Sequence, residues 1–169
     1  SPDVLDSAAG LSARSGRADA AAAAVTTGLP TTETEEWRYS PISDSDFVEL
    51  LNGLSPVLAA PSADAVERAE QYRQTVLERF ESIAASVLIL DGYVVVVDVD
   101  PGWAAKGLKL EVDQDRWLAA EPSEPTKFDQ LHQAFSPGAI VIQSSGQVAI
   151  TDPVVVVTHH ESPSTLSCP

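Results

Sequence analysis
Between residues 63 and 99 the apolar period of the chain changes from helical to extended, and this change fixes the fold class. Val66, Ala69, Tyr72, Val76, Phe80 and Ile83 recur at steps of three and four, which places them on one face of a helix spanning residues 63–84. Glu67, Arg68, Glu70, Arg73, Glu78 and Arg79 fill much of the remaining surface, and Pro61-Ser62 marks the start. Residues 87–90 and 93–99 are then β-rich and flank Asp91-Gly92, a two-residue signal for a hairpin with a type I′ turn. A chain with a strong amphipathic helix beside a strong hairpin is an α+β protein.

The rest of the chain extends this pattern. Residues 1–16 are rich in Ser, Ala, Gly and Asp without a period and read as a loose tail. Residues 17–26 are alanine-rich and favour helix, because alanine loses no side-chain entropy there. Gly28-Leu29-Pro30 ends that helix. Thr32-x-x-Glu35 has the spacing of a capping box, and residues 43–51 suit a short helix closed by Gly53. Residues 108–112 give a third strand, and 113–125 a polar, proline-containing loop. Residues 126–135 give a helix with Phe128, Leu131 and Phe135 on one face. Three short strands follow at 139–143, 147–150 and 154–157, separated by Ser/Gly and Asp-Pro turns. Strands so closely spaced suit the start of a β-solenoid or a small antiparallel sheet. The expected organisation is a tail (1–16), a helical subdomain (17–85), a short-strand region (86–157) and an unstructured C-terminal end (158–169).

Charge and cysteine content exclude several function classes. The net charge is −15 with only 10 basic residues, in no cluster, whereas a nucleic-acid site needs Lys and Arg on phosphates. The same charge disfavours anionic membrane surfaces. No apolar run reaches the roughly 18–20 residues that span a bilayer. Arg14 and Arg17 precede the apolar run 20–25, which is too short and too weakly apolar for a signal peptide. The single cysteine, Cys168, excludes an internal disulfide and fits a reducing cytoplasm. Methionine is absent even at position 1, so a processed chain or a fragment is expected.

Four segments carry a resemblance to a known family. Residues 28–41 read GLPTTETEEWRYSP, similar to the L-P-T-x-x-x-E-x-W-R-Y-T box of the SufB/SufD family of iron–sulfur cluster assembly scaffolds. Residues 88–109, LILDGYVVVVDVDPGWAAKGLK, resemble that family's hairpin, with Asp91 where asparagine is usual. FDQLHQAFSP at 128–137 resembles its L-N-x-A-F helix end, and AIVIQSSGQVAITDPVVVV at 139–157 resembles the beginning of its β-helix. The four occur in the family's order, closer to SufD than to SufB. The resemblance implies the N-terminal part of a SufD-like scaffold component: a helical subdomain followed by the first strands of a β-helix, cytoplasmic, with SufB-like and SufC-like subunits as partners. It implies no catalytic residue, no cofactor and no metal ligand in this chain, because cluster chemistry in the family belongs to the C-terminal β-helix. The isolated chain is then expected either to be marginally stable over 139–157 or to form a homodimer through those strands.

Several residues have an ordinary structural role open to them beside a chemical one. Asp98-x-Asp100 places two carboxylates on one face of a strand end, which suits a solvated end better than a metal. His159-His160-Glu161 with Cys168 has metal-ligand types, yet adjacent histidines on a strand face opposite ways. His132 sits beside Leu131 and Phe135 and reads as a packed, hydrogen-bonded histidine. Trp37 and Tyr39 read as pins for their loop more than as partner anchors, and Arg38 as a surface ion-pair residue. A function from another class is a small acidic hydrolase or transferase, with carboxylates from Asp98, Asp100, Asp113 and Asp115 and His132 as base. That chemistry requires the groups to converge in one pocket.

Overall fold
A computed structural model describes residues 16–28, 55–56, 61–113, 124–136, 138–145, 149–161 and 165–166. It is mixed α+β: α1 (Arg17–Thr26), β1 (Ser55–Pro56), α2 (Ala63–Leu77), β2 (Ala85–Leu90), β3 (Tyr93–Val99), α3 (Pro101–Ala105), β4 (Leu108–Asp113), α4 (Lys127–Phe135), β5 (Ala139–Ser144), β6 (Val154–His159) and β7 (Thr165–Leu166). The chain divides into two compact units, one holding α1, α4 and the β1–β7 pair, the other holding the remaining elements.

In the first unit α1 packs on α4. Ala20, Ala21 and Ala24 are buried on α1, and Leu131, Ala134 and Phe135 on α4. Arg17 is buried, and its guanidinium donates to the carbonyls of Ala134 at 2.5 Å and Ser136 at 2.9 Å. These carbonyls lie where α4 ends, and helix ends leave acceptors that need such donors. At its other end α4 has a full capping box: the Asp129 amide donates to Thr126 Oγ1, and Asp129 Oδ2 accepts from the Thr126 amide at 2.8 Å. The Thr126 hydroxyl also donates to Asp129, and these bonds hold the Asp129 carboxyl below its ordinary range. Thr126→Ala is expected to cost about 1 kcal/mol, read from a denaturation midpoint at neutral pH. A group whose carboxyl pKa is depressed by folding contributes stability above its unfolded pKa and loses it as pH falls. The difference between Thr126→Ala and the wild type should therefore shrink once pH drops below about 4.

The second unit is built on β2. All six of its residues are buried. It pairs antiparallel with β3 and parallel with β6, giving the order β3-β2-β6. The hairpin forms as its sequence predicts: Asp91 (φ 48°) and Gly92 (φ 88°) are both left-handed, as a type I′ turn requires. The register shifts between Leu88 and Ile89, leaving Val95 as the additional residue on β3. On one face of this sheet Leu88, Leu90, Val155 and Val157 pack on Ala65 and Ala69 of α2. A second cluster joins Ala84, Ala85, Trp103 and Leu108. Asp100 caps α3 by accepting from the Gly102 and Trp103 amides, and Trp103 donates its indole N–H to Asp152 at 2.9 Å. Gly107 (φ 96°) is forced by two conditions, since a Cβ there would lie 2.8 Å from the Ser145 carbonyl oxygen.

Two expectations for the long helix are corrected. α2 ends at Leu77 rather than at residue 84. Ala84 accepts from the Asp100 amide and donates to Pro153 O, so its backbone is committed to neighbouring strands and cannot continue a helix. The buried stripe is Ala65, Ala69 and Arg73, not the larger residues. Val66, Val76 and Ile83 border the core, while Tyr72 and Phe80 are 49% and 41% exposed. Small residues in the contact let α2 approach the sheet closely, which turns the bulky ones to its flanks.

The terminal strands also differ in arrangement. β5 pairs antiparallel with β4 in a separate two-stranded sheet, while β6 joins β2. Ala149 and Ile150 are not in a strand, and residues 146–148 lie outside the described set. Residues 158–169, read from sequence as patternless, include the end of β6 and the short β7, which pairs parallel with β1. The tail 1–15, the segment 32–51 and Trp37, Arg38 and Tyr39 lie outside the described residues.

Candidate functional site: the open edge and exit of the mixed sheet
β6 is one of the two edge strands of the three-stranded sheet, β3 being the other, and no described strand pairs with the outer side of β6. Its register on β2 runs without a break from Ala85↔Val154 to Leu90↔His159. Val155 and Val157 point into the core, and Val156 is 49% exposed. Natural edge strands are usually guarded by Lys, Pro or a bulge. The β6 sequence VVVVTH has none of these. The β4–β5 sheet adds a second apolar surface. Leu110 pairs with Ile142 and Val112 with Ile140, which puts the four on one face, and Val112 and Ile142 remain exposed.

The chain leaves β6 through a clasp. The Asp91 amide donates to His159 O at 3.0 Å, and the Glu161 amide donates to Asp91 Oδ1 at 3.2 Å. The Glu161 carboxylate takes both arms of Arg68 from α2, at 2.8 and 2.6 Å. These bonds hold the Glu161 carboxyl below its usual range. The His159 ring lies 5.2 Å from that of Tyr72, which explains why this exposed aromatic is not idle. His160 faces the other way, its Nδ1 3.8 Å from Asp91 Oδ1. The two histidines thus diverge, as alternation on a strand requires.

A buried charge underlies the same sheet. Arg73 is 3% exposed, donates to Ser86 Oγ on β2 and forks onto Glu70 at 2.7 and 2.5 Å. The fork holds the Glu70 carboxyl below its ordinary range. The charge of Arg73 predicts the solvated face, whereas its spacing of four from Ala69 on the small-residue stripe locates it on the buried one.

Among the described residues Asp98, Asp100 and Asp113 sit on three different elements. Asp98 is exposed on β3 opposite Ser86, Asp100 is engaged as the α3 cap, and Asp113 ends β4 opposite Ala139. Asp115 and Cys168 lie outside the described residues. His132 is exposed on α4 rather than packed, and belongs to the first unit, whereas Asp98, Asp100 and Asp113 belong to the second. Among the described residues no three His, Cys, Asp or Glu side chains are grouped to hold a metal ion. No described helix is long and apolar enough to cross a membrane.

No family model matches the chain, and no curated protein matches it.

Proposed function
We propose that the chain is the N-terminal portion of a SufD-like component of the cytoplasmic iron–sulfur cluster assembly scaffold. It acts without catalysis, by packing the start of a β-helix and by docking SufB-like and SufC-like subunits. The observation that carries the reading is the order of the four resembling segments along one chain. Supporting it, the second segment occupies β2, the hairpin turn, β3, α3 and the start of β4, and the fourth supplies β5 and β6. The parallel β2–β6 pair with its unguarded edge suits a sheet on which further coils stack, since repeat architectures bury their faces between neighbours.

Co-expression with SufB-like and SufC-like subunits tests this. The chain should elute with them in size-exclusion chromatography, and elution of the chain apart from both subunits would refute the reading. Incubated alone with iron and sulfide under anaerobic conditions, the chain should stay colourless, because clusters take several thiolates and it has one cysteine. A visible cluster spectrum that disappears in Cys168→Ser would contradict that expectation.

A further inference from the structure
We propose that Asp91-Gly92 is a self-modification site, an aspartate that converts to isoaspartate, and that the Arg68–Glu161 clasp governs its rate. Asp91 and Gly92 form the only Asp-Gly pair in the chain. Glycine leaves the following amide nitrogen sterically open to attack on the aspartyl Cγ. In that step the Gly92 nitrogen bonds to Asp91 Cγ, one Cγ–O bond of the carboxylic acid breaks, and the oxygen leaves as water with the carboxyl and amide protons. Water then opens the cyclic imide at either carbonyl. Opening at the main-chain carbonyl carbon leaves the backbone running through the side chain, one methylene longer. No oxidant, reductant or co-reactant is needed.

The fold opposes this step through contacts far away in sequence. Ring closure requires Asp91 to rotate about its Cα–C bond, out of the type I′ turn that its φ of 48° marks, and its carboxyl to swing onto Gly92. The contacts at this turn resist both motions. Asp91 Oδ1 is held by the Glu161 amide at 3.2 Å, and the Asp91 amide is held by His159 O at 3.0 Å. Glu161 is itself fixed by the two Arg68 bonds. Gly92 is buried. Releasing the clasp frees the carboxyl, and the modified turn, lengthened by a methylene, could not restore the Leu90↔Tyr93 closure.

The test incubates the purified full chain at 37 °C in neutral buffer and measures isoaspartate by enzymatic methylation. The product is localised to the peptide holding residues 91–92 by fragmentation mass spectrometry, because Asn52-Gly53 also yields isoaspartate. Arg68→Ala should raise the rate at Asp91 by about two- to fivefold, the range expected for loss of an exposed ion pair. The wild type in urea should be fastest, and the exchanged pair Arg68→Glu with Glu161→Arg should return toward the wild-type rate. An Arg68→Ala rate equal to the wild type, or a folded wild type as fast as the unfolded chain, would overturn the proposal. If Arg68→Ala unfolds, the exchanged pair decides: recovery supports the clasp, and no recovery refutes it.

Discussion

Leu88→Ala is expected to lower stability by about 3–5 kcal/mol, measured by urea denaturation followed by circular dichroism. Leu88 is fully buried on the central strand and packs in the cluster with Ala65, Ala69, Leu90, Val155 and Val157. Its truncation removes transfer free energy and leaves a cavity, because β2 is held on both sides by strands and cannot collapse inward. Phe80→Ala is the informative contrast. Phe80 is the larger side chain and fits the helical period, but it is 41% exposed beyond the end of α2. Its loss should cost about 1 kcal/mol or less. Equal costs for the two substitutions would mean that Phe80 is packed in the core as Leu88 is.

The second large effect is expected at Glu70. Glu70→Ala leaves the Arg73 guanidinium, only 3% exposed, with Ser86 as its remaining hydrogen-bonded neighbour on β2. Breaking a buried pair by removing one partner typically costs about 3–5 kcal/mol. Glu70 itself is about one-third open to solvent, and water entering there should reduce the cost to about 2 kcal/mol. Arg73→Met removes the buried charge but also the donor to the buried Ser86 hydroxyl, and should cost about 1 kcal/mol, less than Glu70→Ala. A large loss in Arg73→Met with none in Glu70→Ala would reverse this account. The pH dependence has a fixed sign. The bonds from Arg73 depress the Glu70 carboxyl, so its contribution is present above the unfolded carboxyl pKa near 4.3 and fades as pH falls below it. Glu70→Gln should therefore flatten the acid limb of the stability profile.

What could be read from the sequence was local. Asp91-Gly92 between two β-rich runs gave a hairpin whose turn residues carry the required positive φ. The spacing within 126–135 gave α4, with Leu131 and Phe135 on its buried side, while its Thr126–Asp129 capping box emerged only from the structure. What could not be read was long-range or compensated. The parallel pairing of β2 with β6 joins residues 85–90 to 154–159, and no local propensity encodes such a partner. A buried arginine looks solvated in any pattern argument, and only its fork onto Glu70 and Ser86 makes burial affordable. The helix was expected to run to residue 84 because apolar spacing persists through Ile83, whereas the backbone of Ala84 is taken by Pro153 and Asp100. The open edge of β6 is likewise a property of strand order, not of the valine run itself.

That SufB-like and SufC-like subunits dock at the strands left open, β5 and β6, is the central proposal, and hydrogen–deuterium exchange of the chain, alone and with these subunits, tests it most directly. Alone, residues 63–77 and 85–90 should be protected and 139–144 and 154–159 should exchange faster, because edge strands open at lower free energy than the elements they flank. With the subunits added, protection should rise at least about tenfold over 139–144 or 154–159, the change that about 1.4 kcal/mol of added stability produces, and stay constant over 63–77. Unchanged exchange in both strands when the subunits are present would contradict the claim.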